Sequence, residues 1–71
     1  MARRITEKEQ AKWEAKGIAR AQKWIDEGIE LERVGFGMVN LGFNYQVIGN
    51  TFELRVSEKF PRTRLIATFT K

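Results

Sequence analysis

Cysteine and histidine are both missing from this chain, and serine and proline occur once each, as Ser57 and Pro61. Without cysteine there is no disulfide to staple the fold and no thiolate metal site. Without histidine the commonest general base is gone as well. Ser57 stands alone, with no base at a readable spacing to activate it. The carboxylates crowd one helix end or sit singly on strands, as on a solvated face. Gly35, Gly37 and Gly42 lack the spacing of the dinucleotide fingerprint, and no helix is expected after them. The chain therefore reads as a non-enzymatic protein that acts by binding, with no cofactor and no metal.

Long apolar runs are missing too. Nothing approaches the roughly 20 residues needed to span a bilayer, so no membrane contact is expected. The opening "MARRITEKEQ" has no apolar segment after its arginines and does not read as a secretory signal. A cytoplasmic location follows as the expectation, and the absence of cysteine fits a reducing compartment.

What is present must stabilise a very small fold. The 71 residues allow one domain, whose core contributes only a few kcal/mol net. Five Phe, two Trp and one Tyr supply the bulk. Burial against a second copy would supply the rest, so a homodimer is expected.

Thirteen basic residues stand against nine acidic ones, a net charge of +4. Arg3 and Arg4 lie in a short leading arm, residues 1–5. Lys59, Arg62, Arg64 and Lys71 lie in a tail with no acid after Glu58. Asp26, Glu27, Glu30 and Glu32 form an acidic cluster between them. The pI of about 9.9 is in the range that points to nucleic acid.

Thr6 followed by Glu9 is a capping box that starts a helix. Residues 6–28 continue it, with Gly28 as a left-handed cap and Ile29 placed to fold back on Trp24 or Ile25. About 100° per residue puts Lys8, Lys12, Lys16, Arg20 and Lys23 on one side, and Ala11, Ala15, Ile18, Ala21 and Ile25 on the other. Trp13 and Trp24 line one edge of the apolar side. That arc is wider than one packed layer requires. Either the sheet curls round the helix and covers both tryptophans, or their edge meets a partner.

After the cap the period changes to two. In "YQVIGNTFEL", Gly49 and Asn50 suit the centre of a type II′ turn, which opposes Ile48 with Thr51, Val47 with Phe52 and Tyr45 with Leu54. "RLIATFTK" reads as a last strand, with Leu65, Ala67 and Phe69 on one face, joined by a loop holding Pro61. "VGFGMVNLGF" reads as a first strand over 34–39, weakened by Gly35 and Gly37. A four-residue loop at 39–42 would keep Phe36 and Met38 in the core; a three-residue loop would expose them. Burial favours the first. The expected fold is α+β: one long amphipathic helix packed on a three- to four-stranded antiparallel meander over 34–70.

Three constellations suggest binding. Lys59, Arg62 and Arg64 surround Phe60 in a proline-stiffened loop, a pattern that can neutralise phosphates while a ring stacks on a base. Arg3, Arg4 and the row Lys8, Lys12, Lys16, Arg20 form a stripe that can follow a phosphate backbone. The long helix is basic in its first half and acidic at its end. Two copies laid antiparallel would match opposite charges, with Trp13 and Trp24 between them and Leu31 beyond the cap.

Two function classes follow. One is an accessory or regulatory factor acting on nucleic acid or a nucleoprotein complex; small cysteine-free chains of this type are common among the accessory proteins of phages and mobile elements. The other is a protein-binding inhibitor or a homo-oligomeric assembly component without nucleic-acid contact. The polar sheet face around Asn44, Glu53 and Arg55 is a further place for a site.

Overall fold

Thr6 starts the first helix as the capping box predicts. Its backbone is extended and its Oγ1 accepts from the Glu9 amide at 3.1 Å, which satisfies one of the helix's orphan donors. Helix α1 then runs over Glu7–Asp26. Gly28, at φ 84°, turns the chain out. Its amide donates to the Ile25 carbonyl and the Ile29 amide to the Trp24 carbonyl, the paired bonds of a Schellman cap. The computed structural model describes residues 6–58 and 62–71, so Arg3, Arg4, Lys59, Phe60 and Pro61, all singled out above, lie outside the described residues.

The expected first strand over 34–39 is a helix. Helix α2 covers Leu31–Asn40 and buries Leu31, Val34, Gly35 and Met38, the i, i+3, i+4, i+7 set of an amphipathic helix. The alternation of Val34, Phe36 and Met38 loses to this longer period because the helical face buries more apolar surface in one continuous core. Helix α2 closes as α1 does. Gly42, at φ 95°, donates to the Val39 carbonyl and Phe43 donates to that of Met38 at 2.9 Å.

The meander therefore begins only at β1, Asn44–Ile48, followed by β2, Thr51–Ser57, and β3, Thr63–Thr70. The three strands are antiparallel in the order β1-β2-β3. The hairpin has the register read from the sequence, from Asn44 opposite Arg55 to Ile48 opposite Thr51. Gly49 has φ 59°, and no described non-glycine residue has positive φ, as a type II′ turn requires.

The last strand departs from simple alternation. The pairing with β2 slips between Leu54 and Arg55: Leu54 opposes Ala67, but Arg55 opposes Leu65. Ile66 is the extra residue of a β-bulge. Leu65 is thereby turned outward and exposed instead of joining Ala67 and Phe69 on the core face. Arg64, opposite the buried Val56, is turned toward the helices.

The core lies between the helices and the inner sheet face, with Ala21, Ile25, Val34, Met38, Phe52, Leu54 and Val56 at its centre. Three helical glycines admit aromatic rings against bare backbone. The Phe43 ring sits on Gly17, Tyr45 on Gly35 and Trp24 on Gly37, each where a Cβ would collide with it. Glycine in a helix interior costs about 0.5–1 kcal/mol relative to Ala; here that cost is offset by ring burial. Of the wide apolar arc of α1, Ala21 and Ile25 are buried and Trp13, Ile18 and Trp24 half-buried where α2 and β3 pack against the helix, whereas Ala11 and Ala15 are exposed.

Candidate nucleic-acid interface

The row Lys12, Lys16 and Arg20 lies on the exposed side of α1. Four-residue spacing separates successive members by about 6 Å along the axis. Lys12 and Lys16 have no ion pair with a described acid, and Arg20 lies with its guanidinium carbon 5.8 Å from the centroid of the Trp24 ring. Like charges four apart on a helix repel by a few tenths of a kcal/mol per pair, a penalty that an anionic ligand would reverse.

The tail cations are disposed differently. Arg64 donates from Nη2 to Glu14 Oε2 at 2.6 Å and from Nε to Glu58 Oε1 at 2.8 Å. Beside Arg64, and with a second hydrogen bond from Gln10, the Glu14 carboxyl is held below the usual carboxylate range. The Arg64 guanidinium is raised in turn, first by its hydrogen bond to Glu14. Arg64 is thus committed to acids of its own chain. Arg62 is exposed, and its carbonyl accepts from the Glu58 amide at 3.0 Å, which closes the loop ahead of β3.

The outer sheet face is similarly self-satisfied. Arg55 bridges Glu53 at 3.1 Å and Thr63 at 3.0 Å, and Asn44 donates to Ser57 Oγ at 2.6 Å. Ser57 here is a cross-strand acceptor. Among the described residues no cluster of acids could hold a metal ion, and no helix is long and apolar enough to cross a membrane.

The residues assigned above to a partner interface are engaged within the fold. Leu31 is 8% exposed and belongs to the core. Trp24 lies over Gly37. Trp13 is half-buried and stacks on Phe43, with centroids 4.0 Å apart and planes within 10° of parallel. The exposed apolar groups on the helical side are instead Phe36 and Val39, one turn apart on α2, and Leu41.

Leu41 and Phe43 lie beside the cation row and were not among the candidate binding residues that the sequence pattern suggested. With Trp13, Lys16, Gly17 and Arg20 they line a shallow depression of roughly 180 Å³ between α1 and the end of α2. A second recess, of roughly 380 Å³, borders Trp13 from Glu9, Gln10, Gly42 and Ser57. The signal for both lay in "LGFN": Gly42 followed by an apolar residue repeats the Gly28–Ile29 cap, and so marks the end of a helix that returns Phe43 to α1. No known protein family, curated protein or solved structure matches the chain.

Proposed function

We propose that the protein is a non-enzymatic accessory factor of the cytoplasm that binds nucleic acid through the outer face of α1. The observation that carries this reading is the sorting of the cations. Arg55 and Arg64 are neutralised by acids of their own chain, whereas Lys12, Lys16 and Arg20 stand exposed in one row. Such a row neutralises successive phosphates and releases their counterions. Arg62 on the loop, with Arg3, Arg4 and Lys59 in the sequence around these elements, adds positive charge without base readout.

The test is fluorescence anisotropy with labelled mixed-sequence DNA and RNA at low and at physiological salt. Binding should weaken steeply with salt, and Lys16→Gln should reduce the slope of log K against log salt by about 0.7–0.9. Thr70→Glu, on the outer sheet face, changes the net charge by the same amount. Equal loss from both variants would mean that only overall charge is sensed and would sink the α1 site.

A second reading, a protein-binding or homo-oligomeric component, has one observation behind it. Phe36 is 62% exposed, with exposed Val39 one turn away and the Tyr45 ring edge-on beside it. Measured mass at high micromolar concentration, for wild type and Phe36→Lys, tests it: a monomer in both removes the homo-oligomer.

A further inference from the structure

The cation row runs beside an aromatic stack. Trp13 precedes Lys16 and Arg20 by one and two turns, and its ring lies flat on Phe43. Phe43 is only 3% exposed and is seated on Gly17, so it cannot swing aside and carry Trp13 with it. The indole is half-buried and is flanked by two open recesses. Exposed Leu41 stands across the smaller one, and Lys16 and Arg20 line it.

We infer that the protein takes its nucleic acid as a single strand, with a base laid against Trp13 and the flanking phosphates on Lys12, Lys16 and Arg20. This rests on the reading of α1 as the nucleic-acid face and goes further by naming the form of the ligand. Two features lead to a single strand. An aromatic ring held rigidly by a second ring is a stacking platform, and every base has a face to offer it without sequence preference. The bases of a duplex are already stacked on their neighbours, so one would have to leave the helix at a cost of a few kcal/mol to reach the indole. The roughly 6 Å steps of the cation row are of the order of the spacing of phosphates along an extended strand. A strand following the row therefore keeps its charges matched while one base turns into the recess. The depression is too shallow to enclose a nucleotide, so sequence preference should be weak.

The experiment compares single-stranded DNA, single-stranded RNA and duplex DNA of equal length at low salt, by anisotropy with the unaltered protein. Both single strands should bind more tightly than the duplex. In Trp24→Phe protein the remaining tryptophan is Trp13, and its fluorescence should be quenched as a single strand saturates the site. Trp13→Leu, which keeps bulk but loses the π face, should weaken single-strand binding roughly 5- to 150-fold and leave duplex binding unchanged. Equal single- and double-strand affinity with unquenched Trp13 would overturn the inference. If Lys16→Gln still weakened binding in that case, the α1 face would stand without the stacking platform. Absence of binding to all three ligands at low salt would overturn both.

Discussion

Arg64 Nη2 donates to Glu14 Oε2 at 2.6 Å, joining β3 to α1 across 50 positions of sequence. The bond exists because of the bulge at Ile66. Regular alternation from Phe69 and Ala67 would turn Leu65 inward and Arg64 away from the helix. The added residue exposes Leu65 and gives α1 an ion pair in return.

This pair predicts an acid-sensitive fold. The folded Glu14 carboxyl lies below its ordinary value, so its contribution is complete above the unfolded pKa of about 4.3 and disappears as pH falls through the lower folded value. Urea midpoints measured from pH 7 downward should therefore decline in the acid range, and Glu14→Gln should flatten part of that decline. An identical acid limb in both proteins would show that the pair contributes nothing.

Gly17→Ala tests the seat of Phe43. Alanine gains up to about 1 kcal/mol of helix propensity, but its methyl enters the space of a ring that is fully packed. Overpacking of a core costs about 1–3 kcal/mol, so the net effect should be destabilising. In a Phe43→Leu background the collision is removed and the same change should cost less or become favourable. Chemical denaturation of the four proteins measures the coupling.

Thr6→Ala should destabilise by about 1 kcal/mol through loss of the N-cap acceptor. Thr6→Ser keeps the hydroxyl and should be close to neutral. A thermal melt followed by helical circular dichroism distinguishes them.

Tyr45 should titrate above the usual phenol range. Burial of the ring raises its pKa first, and the charge of Glu32 and the hydrogen bond to its Oε2 at 3.4 Å add to the shift. The neutral phenol is thus favoured in the fold. That contribution is present below the unfolded pKa of about 10 and is lost as pH rises through the higher folded value. Absorbance titration should show a raised midpoint, lowered only in part by Glu32→Gln because the burial remains.

The parts legible in the sequence were those with a local physical cause. Thr6 and Gly28 bound α1 through hydrogen bonds within a turn of each end. Gly49 and the paired alternation fixed the hairpin and every pair in it. Helix α2 was illegible for an equally physical reason. Val34, Phe36 and Met38 alternate as in a strand, while two of the positions that would reveal the helical period are Gly35 and Gly37, which carry no side chain to count. These glycines are not weak points of a strand; they are where Tyr45 and Trp24 approach the backbone, a tertiary event that no local pattern encodes. The candidate site was legible as charge but not as pairing. The row on α1 needs only the helical period, whereas the engagement of Arg64 depends on a bulge and on a glutamate 50 positions away.

The seated rings have one more consequence. A ring resting on bare backbone fits a helix at one angular setting, because a roll in either direction presents a Cβ instead of a glycine. Phe43 on Gly17 therefore acts as an index mark for α1, as Trp24 on Gly37 does for α2. The direction in which Lys16 and Arg20 point is set by their count from Gly17. A single residue inserted between Gly17 and Arg20 would swing Arg20 by about 100° while leaving Lys12 and Lys16 in place. The row would lose its last member without any of its charges having been changed.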